Sequence, residues 1–103
     1  MKPFEATFYV AGVKFHKLYD VINELKEEDI VQLVPEPSNK YDKFAVRVEA
    51  LDTMFGYIPK SHSQMVSRLI AFGKTLSAKI IKLSPESEPW SALKIEIKEE
   101  QND

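Results

Sequence analysis

Apolar and polar residues alternate along this chain in short runs with turn-forming residues between them, so its backbone must fold mainly as short strands with one buried face. Phe4, Ala6, Phe8 and Val10 share one face of a first strand. Residues 30–34 read as a second, stopped by Pro35 and Pro37. Phe44, Val46, Val48 and Ala50 alternate with Arg47 and Glu49 in a third. Residues 54–58 continue as a fourth, joined to it as a hairpin through a tight Asp52-Thr53 connection. Two more strands are expected over 75–83 and 90–98, separated by the proline-bracketed loop 84–89. In the last, Leu93, Ile95 and Ile97 face in while Lys94, Glu96 and Lys98 face out. Only two segments carry helical spacing. Leu18, Val21, Ile22 and Leu25 predict a short helix over 18–26. Ser61-His62-Ser63-Gln64 matches a capping box ahead of Met65, Val66, Leu69, Ile70 and Phe72, and Gly73 can end that helix. The order β-α-β-β-β-α-β-β is that of a mainly β (α+β) domain with two short helices, as a small barrel or strongly curved sheet.

A chain of 103 residues can bury a core unaided, and one domain over 1–98 followed by a frayed acidic tail at 99–103 accounts for all of it. The absence of cysteine removes disulfides, thiolate nucleophiles and cysteine zinc sites together. No apolar run approaches the roughly eighteen residues of a membrane span, and the first residues lack a signal core, so a cytoplasmic protein without membrane contact is expected. The two histidines, His16 and His62, stand far apart with no carboxylate at metal-ligand spacing. The three glycines are isolated, and no serine sits in a nucleophile elbow. Catalysis by this chain alone, a resident metal and a cofactor are therefore not expected.

A net charge of −2 argues at first against a polyanionic partner. Along the chain, however, the charge is segregated. No acid occurs between Asp52 and Glu86, a stretch holding Lys60, Arg68, Lys74, Lys79 and Lys82, whereas residues 20–29 carry five acids against Lys26. A basic face formed by residues 53–82 would be hidden by the whole-chain sum.

Three clusters combine an aromatic ring with a cation. Asn39-Lys40-Tyr41-Asp42-Lys43 immediately precedes a strand: Tyr41 can stack on a base while Lys40 and Lys43 attract phosphate. Alternatively it is a polar turn in which Asn39 and Asp42 bond their own backbone and Tyr41 packs on the barrel's edge. Gly12-Val13-Lys14-Phe15-His16 and Phe55-Gly56-Tyr57-Ile58-Pro59-Lys60 each admit a similar structural reading, with Phe15 and Tyr57 in the core. Brought to one face, the three would supply the aromatic platforms beside cations that single-stranded nucleic acid requires.

These same segments carry a resemblance. Residues 10–15 (VAGVKF), 33–46 (LVPEPSNKYDKFAV) and 56–60 (GYIPK) together resemble the HIRAN domain, whose central pattern L-x-x-E-P-x-N-x-Y-D-x-x-A-V is the most specific part. The resemblance spans about residues 4–98 and implies a stand-alone HIRAN protein. It implies a modified OB-like six-stranded β-barrel that binds DNA and captures the 3′-hydroxyl end of a single strand, in DNA repair or replication-fork processing. Lys14 and Phe15 stand where DNA-binding members have an arginine and a tyrosine. Tyr41 would be the second stacking ring, with Asn39 and Asp42 near the terminal sugar. Lys60 would contact a phosphate, and Tyr57 replaces a histidine. Lysine lacks the planar fork of arginine and Phe15 lacks a hydroxyl, so stacking and charge survive these departures better than end-reading does. Any enzymatic activity would come from a partner chain carrying an ATPase, helicase or nuclease. A protein adaptor that binds through the same face is the alternative from a different class, and a small metal-dependent enzyme is the weakest reading.

Overall fold

The computed structural model describes residues 2–101. Six strands form two three-stranded antiparallel sheets. The first is ordered β1 (Glu5–Tyr9), β6 (Leu93–Glu99), β5 (Leu76–Leu83); the second is β2 (Gln32–Pro35), β3 (Val46–Ala50), β4 (Thr53–Tyr57). The element order is the one expected, but a closed six-stranded barrel is not what forms. Among the described residues the two sheets are linked in the ladder pattern by two isolated bridges, Ala11 with Tyr57 and Ile30 with Lys79. Backbone bonds from Val10 to Leu93, Ala11 to Tyr57 and Val31 to Ala78 surround these joints. The chain bends out of β1 too soon for a continuous ladder: Gly12 takes φ 74 and starts a 3-10 turn at Val13–Phe15.

The alternating faces meet as one core. Val10, Val13, Leu18, Val46, Val48, Phe55, Val66, Ile80, Leu93, Ile95 and Ile97 are fully buried, and Phe4, Ala6, Leu33 and Ala50 pack around them. Three expectations are corrected locally. The helix expected over 18–26 is a four-residue α1 (Leu18–Val21) followed by a 3-10 turn at Ile22–Glu24. Its apolar residues do point inward, but Val21 leaves helical geometry and Leu25 is extended. The capping box does not form, because α2 (Lys60–Ala71) starts behind Pro59 and already contains Ser61; Ser61 Oγ lies 2.9 Å from His62 Nδ1. A proline fixes its own φ near the helical value, which favours this earlier start. The β3–β4 turn is centred on Leu51 and Asp52, both at φ 54, one residue before the expected connection. The other end of α2 is as expected: Gly73 takes φ 80 while Lys74 N–H donates to Leu69 O and Gly73 N–H to Ile70 O, a Schellman closure. β6 runs through Glu99, and Glu100 N–H donates to Thr75 O; residues 102–103 of the expected tail lie outside the described residues. Among the described residues no helix is long and apolar enough to cross a membrane.

Candidate functional site

The loop between β2 and β3 is folded by its own side chains. Asn39 Oδ1 accepts the backbone N–H groups of Tyr41 (2.8 Å) and Asp42 (3.0 Å), and Asp42 Oδ1 accepts that of Phe44 (2.8 Å). Such side-chain-to-backbone bonds replace the ladder bonds a loop lacks. Glu36 N–H donates to Ala45 O at the neck of the loop. The outer oxygen of Asp42 accepts Ser63 Oγ at 2.9 Å, fastening the loop to α2, and Ser63 is buried. Lys60 Nζ reaches Tyr41 O at 3.5 Å from the first residue of the same helix.

Beneath the loop lies a second layer of polar contacts. Tyr57 OH donates to Glu36 Oε1 at 2.8 Å, and Asn39 Nδ2 donates to the same oxygen at 2.8 Å. Arg47 lies between Glu36 and Glu49, with Nε 3.6 Å from Glu36 Oε2 and a close ion pair to Glu49. The bonds from Asn39 and then Tyr57 hold the Glu36 carboxyl below its ordinary value, while burial, reinforced by the bond to Glu36, pushes the Tyr57 phenol up. Tyr57 therefore remains a donor, and Asn39 is oriented by an ionised acceptor. The His16 and Tyr57 rings pack in a T-shaped arrangement, with ring centroids 5.6 Å apart.

The result is an open cleft of about 470 Å³ whose walls include Gly12, Phe15, Asn39, Tyr41, Asp42, Tyr57 and Lys60. Tyr41 and Phe15 are 86% and 78% exposed, so neither ring is part of the core and Tyr41 does not pack on a sheet edge. Ala11, Ala45 and Ile58 complete the lining, which is mostly apolar. The cleft sits on the joint between the sheets, because Ala11 and Tyr57 bridge there.

Six of the nine residues singled out from the sequence thus line one cleft. The other three do not. Lys14 lies over the Phe15 ring (5.6 Å) and borders a neighbouring hollow with Pro89 and the exposed Trp90; Lys40 is exposed on the loop; Lys43 lies over Phe44 (5.2 Å). The expected basic face over 53–82 is also divided. Lys74 pairs with Glu99 and Lys79 with Glu28 and Glu96, while Lys82 reaches Tyr9 OH; only Lys60 lines the cleft, and Arg68 lies over Phe44. On β5 Lys79 alternates with the buried Ala78 and Ile80, so it faces outward, where Glu28 and Glu96 meet it. Glu36, Arg47 and Ser63 had no signal in residue type alone. In the sequence Glu36 stands out only as part of the E-P-x-N pattern. Among the described residues no group of three or more histidines or carboxylates is placed to hold a metal.

Fold and cleft define a small β-rich module with two exposed aromatic rings and a lysine lining one cleft. The HIRAN domain model matches residues 4–100, and the chain belongs to the HIRAN family, a family of DNA-binding modules. Its fold is similar to the HIRAN domain of human HLTF (TM-score 0.71, 14% identity, covering 92% of this chain and 74% of that one). It is also similar to a Lactobacillus plantarum protein solved by a structural genomics consortium (TM-score 0.79, 21% identity, 95% and 97% covered). No curated protein sequence matches the chain significantly.

Proposed function

We propose that this HIRAN domain binds single-stranded DNA by taking the end of a strand, with its 3′-hydroxyl, into the cleft between Phe15 and Tyr41. The observation that carries this reading is that two exposed rings, Phe15 and Tyr41, and the exposed Lys60 line one mostly apolar cleft. Bases stack on such rings whatever their identity, and a cation at the rim meets the phosphate. The polar end of the cleft supports the end-capture part. Asn39, Asp42 and Tyr57 gather there, and the Asp42 carboxylate, anchored by Ser63, is suited to accept a sugar hydroxyl. The chain itself is a binding module, and any chemistry on the DNA falls to a partner chain carrying an ATPase, helicase or nuclease.

Stacking contributes about 1–3 kcal/mol per base, so Tyr41→Ala is expected to weaken binding of a short oligonucleotide roughly ten- to hundredfold by fluorescence anisotropy. Equal affinity of variant and wild type would sink the stacking claim. A 3′-phosphate on the oligonucleotide should weaken binding as well; unchanged affinity would mean a general groove rather than an end pocket.

A further inference from the structure

Past the cleft, two cations without an acidic partner, Lys43 and Arg68, meet beside α2. Lys60, Gln64 and Arg68 are exposed and occur at intervals of four along α2, which places them on one side of the helix. Arg68 lies 5.7 Å from the centre of the Phe44 ring and Lys43 Nζ lies 5.2 Å from it, so one half-buried ring gathers a cation from the loop and a cation from the helix. Among the described residues neither Lys43 nor Arg68 is ion-paired, whereas Lys74 and Lys79 are. The Ser63–Asp42 bond holds loop and helix together midway between Lys60 and Arg68, so the arrangement is preformed.

We propose that Lys43 and Arg68, gathered around Phe44, form a second phosphate-binding station, and that the strand leaving the cleft runs along α2 from Lys60 to this station. The proposal rests on the single-strand reading above. Eight helical residues cover about 12 Å. At the 3.4 Å per phosphate of a stacked strand, that is about three or four phosphates. A ligand confined to the cleft would therefore not reach Arg68, and a longer one would.

The test compares a trimer and a dodecamer of thymidine, each with a free 3′ end, on wild type and on the Lys43→Gln/Arg68→Gln double variant over a salt series. Two lost phosphate contacts should make the slope of log K against log salt less negative by about 1.4 for the dodecamer, with roughly tenfold weaker binding at low salt. The trimer should bind both proteins alike. An unchanged dodecamer slope, or an equal loss on trimer and dodecamer, overturns the second station. If wild type binds neither oligonucleotide, or if Tyr41→Ala affects neither, the single-strand reading itself falls and the station with it. A trimer that binds in a Tyr41-dependent way beside an unchanged dodecamer slope removes the station alone.

Discussion

Gly56 shows how much of the site depends on one missing side chain. A Cβ at this position would lie 2.3 Å from Ala11 O and 2.9 Å from Val10 Cγ1, because the bend after β1 presses its backbone onto β4 there. The obstacle is backbone, so it cannot swing aside. Gly56→Ala should cost at least ~2 kcal/mol, which for a domain of this size lowers Tm by roughly 10 °C. A variant that melts within about 2 °C of wild type would show that the bend adapts. The sequence marks Gly56 as a bend, but not what approaches it. Tyr41 and Phe15 were legible as candidates because rings beside cations in loops are an unusual composition. That both rings are exposed was not legible, since the same residues suit a sheet edge or a core equally well.

Among the elements, the β2–β3 loop and the β3–β4 turn carry the most specific energetics. Glu36 accepts bonds from Asn39 and Tyr57, and its carboxyl titrates below its ordinary value of 4.5 in the folded chain. Its contribution to stability is therefore complete above that value and is lost as pH falls through the lower folded-state value. Glu36→Gln should cost about 1–2 kcal/mol at neutral pH, a gap from wild type that closes as the pH drops below 4.5. Denaturant titrations at several pH values would measure it, and a gap independent of pH would mean that the charge is immaterial. In the turn, Leu51 occupies φ 54, a left-handed conformation that costs a residue other than glycine about 1 kcal/mol, and its side chain is half exposed. Leu51→Asn should recover about that amount, read as a shift in the denaturation midpoint; a loss of stability would mean that the leucine's packing matters more. Alternation makes the strands readable, whereas the turn lies one residue earlier than its residue types suggest, because leucine is no turn former. The first helix was overextended for a related reason: apolar spacing reports which residues point inward, not whether the backbone stays helical between them.

At the scale of the whole molecule, two sheets share one core and, among the described residues, are joined by two isolated bridges, one of which lines the cleft. A ligand held there would touch Tyr57 at the end of β4 and Ala11 and Phe15 in the bend that follows β1, on either side of this joint. If it binds the folded state alone, an oligonucleotide at a hundred times its Kd should add about 2.7 kcal/mol to stability, visible as a raised Tm. Hydrogen exchange at the amides of Ala11 and Tyr57, bonded across the joint, should slow more than that of the strand interiors; uniform protection would place the ligand elsewhere. The element order was legible in the sequence, but the closure was not: whether six strands complete a ring depends on where the backbone bends, and that is set by close approaches such as the one at Gly56. The division of the basic segment was hidden for the same reason, since its partners Glu28, Glu96 and Glu99 are distant in sequence.

The pairing of β1 with β6 has a mechanical consequence. The strands run antiparallel from Glu5 opposite Lys98 to Tyr9 opposite Lys94, and Phe4 is bonded twice to Glu99 at the open end. Tension applied through the two ends of the chain would load these bonds one after another, as in a zipper, rather than shearing them all at once. Peeling would begin at Phe4 and reach Ala11 and the cleft last, so the domain would yield several residues of slack under load while the cleft stayed whole.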